Sequence, residues 1–434
     1  MDGVGTICFV ETVDELATVL ASRRRAFRVE RVGWNDAGAW ALERGALQHR
    51  SGGFFSVVGV VFDTDPAGET LSLFQPQAAV TGLLTTVRGG KRYFLLQARP
   101  EPGCLGGAQF GPTVQSTPAN FMQLHGGATT PYIGWFVTQR PGARWCEDTT
   151  QSDLGRRYLM KSKRQIVVEC PADVELQDGF VWASIDAIAR GLARDAFFNI
   201  DLRSILSGTA WSSQADDPLA IVPADEASRR SLGSPLRTET LGALGARLAP
   251  RPSPARFTPI EALRNWQRTE WGLREIRELQ GFAVEFYRVA APGREVERWA
   301  QPLINSSGDG HVLLLCRESA AGLEVLVRAV AEPGLAAGVG LAPSFVRYPG
   351  ERPPRDAPLE ARYTTRLATL ESDEGGRFFR DASRYELGWL DGPLSAAVHG
   401  AFWLRLSELK TLLCRSNVCT IQLRGVASLL AAIH

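Results

Sequence analysis

Lysine is almost missing from this chain. Lys91, Lys161, Lys163 and Lys410 are the four lysines among 48 basic residues, and the rest are arginines. A protein so rich in planar guanidinium forks is equipped to grip carboxylates and phosphates. Long apolar runs are missing too, and none approaches the roughly 20 residues of a membrane span. Met1-Asp-Gly-Val-Gly has no basic start followed by an apolar stretch. No secretion signal is therefore expected, and a cytoplasmic location is. Neither sign of charge dominates. The formal net charge is +1, with 48 basic residues against 47 acidic ones, which argues against a nucleic-acid partner or a polybasic membrane contact. The seven cysteines are scattered, and the closest pair, Cys414 and Cys419, has no histidine beside it. Reduced thiols are expected rather than disulfides or a metal site.

What is present is a duplication. The 434 residues are comfortable for two domains, and the chain resembles itself across them. The alternating segment from Gly53 resembles that from Gly281, and Gln75-Pro76 matches Gln301-Pro302. Glu101-Pro-Gly103 matches Glu332-Pro-Gly334, and Thr113 matches Ser344. Arg157 and Arg164 match Arg377 and Arg384, and Ser152-Asp153 matches Ser372-Asp373. Trp182 and Arg203 stand as far apart as Trp403 and Arg424.

The expected organisation is a first repeat over 1–206, a linker over 207–256 and a second repeat over 257–434. The linker is rich in Ser, Ala and Pro, and reads as long and mobile. Capping boxes at Thr12–Glu15 and Thr258–Glu261 predict a helix opening each half. Ser184 and Ser407 predict capped helices near each end. Val312 to Val330, turning near Ala320-Ala-Gly322, reads as a hairpin. Each half is therefore α+β and mostly antiparallel or mixed, with flanking helices.

The densest polar cluster lies in the first half and runs through Gln97, Arg99, Glu101, Gln109, Thr113, Gln115, Ser116, Thr117, Asn120 and His125. A wholly polar strand face is usually just solvated. The second copy, however, has Phe345-Val-Arg-Tyr348 there, and that contrast points to a ligand on the first-half face. His125 precedes Gly126-Gly127, where backbone can approach closely. The paired arginines fit either a diphosphate or surface ion pairs.

Gln75-Pro, Gln97-Ala-Arg99, Glu101-Pro-Gly, Gly111 to Thr117, Asn120, His125-Gly and Pro131-Tyr132 together resemble the NDP-hexose 2,3-dehydratase family. His49 to Ser56 and Gln151 to Tyr158 resemble further family segments. The resemblance implies tandem Nudix-like domains, a homodimer and a dTDP-4-keto-6-deoxyhexose substrate. It implies no cofactor and no metal, and a separate NADPH-dependent ketoreductase acting on the product. On this reading His125 is the acid or base, with Glu101 and Tyr132 competing. Gln97, Gln109, Thr113, Gln115, Ser116, Thr117, Asn120, Gln151 and Ser152 would orient the substrate, and Arg99, Arg157 and Arg164 would hold the diphosphate. A second, remnant pocket would use Arg328, Glu332, Ser344, Arg377 and Arg384.

The chain departs from the family in having Arg99 where the family has lysine. Its second half also lacks the Thr-Val-Gln segment. A Nudix hydrolase is disfavoured, because Trp266, eight residues before the box-like run from Arg274 to Phe282, and Leu279 within it stand where glutamates are expected. The other alternative is a non-catalytic binder of the same sugar nucleotide.

Overall fold

The computed structural model describes residues 9–62, 68–124, 126–138, 140–209, 211–251, 255–351, 362–394 and 400–433. Two large mixed sheets and two smaller ones carry the fold. Gly89 and Gly90 both take positive φ, 58° and 78°, as a type I′ turn requires. That turn folds strand Ala79–Arg88 back on Lys91–Pro100, pairing Arg88 with Lys91. The first large sheet runs Phe9–Val10, Phe180–Ser184, Lys91–Pro100, Ala79–Arg88, Ser162–Glu169, Arg144–Ser152. The second runs Val339–Pro343, Gly322–Ala331, Gly310–Ser319, Ala382–Leu390, Tyr363–Ser372. Each has one parallel pair at its centre, Ala79–Arg88 with Ser162–Glu169 and Gly310–Ser319 with Ala382–Leu390. The duplication read from sequence is thus a duplication of topology, and the predicted hairpin is Gly310–Ser319 with Gly322–Ala331.

The halves meet through helices Ile200–Gly208 and Ile421–Ser428, both buried along their whole length. Asn199 and Thr420 cap them by accepting from Leu202 N and Leu423 N. Their arginines reach across reciprocally. Arg203 pairs with Glu371 and also donates to Ser428 Oγ at 3.4 Å. Arg424 donates to Ser204 Oγ at 2.7 Å and to the carbonyl of Ser152 at 2.6 Å.

The smaller sheets are interlaced. Ala255–Thr258, from the start of the second half, pairs with Ser56–Phe62 of the first. Arg28–Val32, from the first half, pairs with Phe282–Ala290 of the second. The Glu-Pro-Gly pair marks another crossing. A Cβ on Gly103 would collide with the carbonyl of Glu374, and one on Gly334 with that of Gly155. Glycine there lets the backbones of opposite halves touch.

Three sequence expectations need correction. Thr12 caps Val13–Ala26 with the predicted box, but Thr258 ends a strand and is followed by the short 3-10 turn Ile260–Ala262. Pairing that segment into the opposite half's sheet overrides the local capping signal. The 207–256 stretch carries helices Glu226–Leu232 and Thr238–Arg247, with Ser231 buried and bonded to Leu323 O and Leu406 N. Small polar residues serve there as helix caps and close contacts, not as a flexible tether. Ser184 does cap Ile185–Gly191, whereas Ser407 lies inside Leu406–Leu413, whose N-cap is Arg405. Among the described residues, no helix is long and apolar enough to cross a membrane.

Candidate functional site

A cavity of about 210 Å³ lies where the halves meet, and both line it. Its aromatic lining is Trp40, His49, Phe54 and Phe55 from the first half and Trp299 from the second. Its polar lining includes Arg99, Glu101, Gln115, Ser116, Thr117, Asn120, Lys161, Lys163 and Asp201, with Arg294, Glu295, Gln301, Glu374 and Arg377 from the second half.

Strand alternation places Lys163 and Gln165 toward helix Ile200–Gly208. Lys163 Nζ sits 2.9 Å from Asp153 and 2.7 Å from Asp201, and Gln165 reaches Ser204. Lys161, just before the strand, donates to Gln75 Oε1 at 2.8 Å. Arg377 Nη2 donates to that same oxygen, also at 2.8 Å. One amide carbonyl thus joins two basic side chains from opposite halves. Arg377 Nε is a buried donor left unsatisfied by the described residues.

Arg99 is fully engaged. Its guanidinium binds Glu101 at 2.8 Å, Gln97 at 2.9 Å and the carbonyl of Gln115 at 3.1 Å. Burial would raise the Glu101 carboxyl, but Arg99 and Arg294 outweigh it and hold it below its usual value. Burial raises Glu374 despite the nearby Arg377. Among the described residues the histidine on this cavity is His49, its ring bonded to Ser51 at 2.7 Å and its pKa lowered by burial.

The predicted residues divide. Arg99, Glu101, Gln115, Ser116, Thr117 and Asn120 come together on the cavity, and His125 lies outside the described residues. Gln97 supports Arg99 from behind. Thr113 does not line the cavity. Its hydroxyl accepts from Leu84 N and donates to Leu95 O, stitching two strands together. Ser344 makes the same stitch with Leu315 N and Leu326 O, so this match between the copies is structural. Gln109 is fully buried away from the cavity wall. Tyr132 donates to Glu175 O and accepts from Gln177 N, both at 2.8 Å, so it pins a loop and is not a candidate acid. Gln151 and Ser152 bond to the second half through Leu413 O, Arg415 O and Arg424. Arg164 faces the opposite side of its strand and grips Asp148 at 2.8 and 2.6 Å. Arg384, itself exposed, binds the buried Glu386 away from the cavity.

Arg157 and Arg377 exchange places. Arg377, expected in the second pocket, lines the first-half cavity. Arg157, expected in the first, lies over the rings of Phe282 and Tyr348 and donates to Pro349 O. There Tyr348 bonds Glu332, and Arg328 donates to Ser344 O, so the second copy's polar residues bond to one another and to backbone. Interlacing is the reason, because each half delivers this arginine to the other.

Sequence reasoning missed Lys161, Lys163, Asp201, Arg294, Glu374 and Arg377's true position. Gln75 was seen as a repeat marker without a role. One signal was available: two of the four lysines in an arginine-dominated chain stand two residues apart.

The sequence pattern of the NDP-hexose 2,3-dehydratase family matches residues 14–209 and 239–430. Three curated relatives are named dTDP-4-dehydro-6-deoxy-alpha-D-glucopyranose 2,3-dehydratase. That of Streptomyces violaceoruber is 32% identical over 386 residues, covering 84% of each chain. That of Amycolatopsis orientalis is 30% identical over 449 residues, covering 97% of this chain and 90% of its own. That of Saccharopolyspora spinosa is 28% identical over 436 residues, covering 94% and 88%. Matched in both repeats and along nearly its whole length, the chain belongs to the NDP-hexose 2,3-dehydratase family.

Proposed function

We propose that the protein eliminates water across C2 and C3 of dTDP-4-keto-6-deoxyglucose, the substrate in its relatives' names, to give the 3,4-diketo-2,6-dideoxy sugar. The C4 ketone acidifies the C3 hydrogen. Loss of that proton places negative charge on the C4 oxygen, the C2 hydroxyl leaves, and the resulting enol becomes the 3-ketone. Oxidation at C3 and reduction at C2 are internal, so the chemistry calls for no redox cofactor. The protein must supply a base and donors for the enolate oxygen.

The observation that carries this reading is the pair of basic side chains, Lys161 and Arg377, that meet on Gln75. Arg377, a cation lining the cavity, suits a developing oxyanion. Gln115 and Asn120 line the same space as hydrogen-bonding side chains for the sugar. Glu101, locked between Arg99 and Arg294, is a charged wall of the site. The mixed sheets with flanking helices support a Nudix-like assignment for each half. A cytoplasmic homodimer, passing its reactive diketone to an NADPH-dependent 3-ketoreductase, completes the proposal.

The test is incubation of purified protein with dTDP-4-keto-6-deoxyglucose, without nicotinamide, followed by mass spectrometry. Loss of one water, or release of dTDP from the unstable diketone, is the expected result. Unchanged substrate together with dTDP binding would return the protein to the binder reading.

A further inference from the structure

We propose that Lys161 is the base that takes the C3 proton of the keto sugar, an inference that rests on the dehydratase reading above. The residue is 4% exposed and borders the cavity. Among the described residues its amine makes a hydrogen bond to Gln75 Oε1 and no ion pair. Lys163, two residues on, is clasped by two aspartates. The same strand end therefore carries one lysine fixed as a cation and one with no carboxylate to neutralise it.

Their titration follows. Burial, joined by the charges of Arg377 and Lys163, pushes Lys161 down to about 7, while Asp153 and Glu374 pull the other way. Burial opposes charge on Lys163 as well, but Asp153 and Asp201 outweigh it and hold its pKa up. Glu101, Glu295 and His49 are the remaining titratable groups described on this cavity, with Arg99 and Arg294 as fixed cations between the two carboxylates. A base works best with its pKa near the working pH, and neighbouring groups driven apart mark acid–base sites. Arginine could not serve, since its guanidinium does not deprotonate in proteins. That gives a reason for lysine at this position in a chain that otherwise uses arginine. The second copy has no such amine. Its register sets Asp381 opposite Lys161, and that carboxylate is bonded to Ser306.

In the proposed step Lys161 Nζ takes the C3 proton. The C–H electron pair becomes a C3=C4 bond, and the carbonyl pair moves to the C4 oxygen. When that pair returns, the C2=C3 bond forms and the C2–O bond breaks. The departing hydroxyl leaves as water with the proton from the ammonium, so Lys161 ends neutral. The remaining enol ketonises at C3 by taking a proton at C2 and losing one from the C3 oxygen.

The test uses the full-length protein and dTDP-4-keto-6-deoxyglucose. Lys161→Ala and Lys161→Arg should still bind dTDP and lose about 100- to 10,000-fold in kcat. Added methylamine should restore part of the Lys161→Ala rate. Lys161→Arg keeps the charge, so a merely electrostatic or structural role predicts that it stays active. Wild-type kcat should fall about tenfold per pH unit below about 7, a readout that stands even if both variants misfold. An active Lys161→Arg, an amine-insensitive Lys161→Ala that binds dTDP, or a wild-type profile flat from about pH 5.5 to 8 overturns the base. Wild-type protein that leaves the substrate intact overturns the dehydratase reading and the base with it.

Discussion

Replacing Arg164 with alanine should leave turnover unchanged, because its guanidinium is about two-fifths exposed and paired to Asp148 outside the cavity. Replacing Arg377 should not. Its removal takes a donor from the site and leaves Gln75 bonded to Lys161 alone, so kcat should fall on the order of 100-fold. Steady-state kinetics on both variants checks the pair. If Arg164→Ala is the damaging change, the assignment of the cavity is wrong. The two arginines are indistinguishable as letters, since each recurs in both repeats. What separates them is the side of the sheet they face and the half they reach into. Lys161 was hidden for a related reason. A lone lysine before a strand reads as a solvated surface residue, and its lack of a carboxylate partner exists in three dimensions alone.

At the scale of elements, the two buried helices and their crossing arginines tie the halves together. Arg203→Ala would leave Glu371 buried and unpaired, and should destabilise the protein by roughly 3–5 kcal/mol. Urea unfolding would measure it. Changing Arg203 and Glu371 together to methionine should recover much of the loss, and a double variant as unstable as the single one would refute this account. The repeat, the hairpin and the Thr12 capping box were legible because each is a local pattern. The strand at Ala255–Thr258 was not, because its partner Ser56–Phe62 lies in the other half and no local pattern encodes so distant a pairing. The polar run from Gln97 to Asn120 was legible as a ligand face only in part. Thr113 and Tyr132 carry the same hydrogen-bonding groups but use them on backbone.

For the whole molecule, the loop that carries Glu374 and Arg377 into the cavity is flanked by buried acids. Burial raises Asp373 to about 7 and Asp381 to about 6, from an ordinary 3.8. Both therefore hold protons more tightly folded than unfolded. Their stabilising contribution is complete below about pH 4 and is lost as pH rises through about 6 to 7. Asp381→Asn, which can keep bonds to Ser306, should flatten the decline in Tm between about pH 5 and 8 relative to wild type. An equally steep decline in the variant would remove Asp381 from the account. Activity should likewise need both halves. Residues 1–206 alone lack Ala255–Thr258 and Arg377, and should neither bind dTDP nor turn over until the second half is supplied.

The exchanged strands also bear on how the chain is made. A ribosome delivers Ser56–Phe62 long before Ala255–Thr258, so one flank of that small sheet waits through most of synthesis without its edge partner. An unpaired edge is a template for any other strand nearby. Nascent or prematurely terminated copies would then be the sticky ones, and finished copies would not. Slowing translation before residue 255 should lower soluble yield, whereas slowing it after the final strand should not.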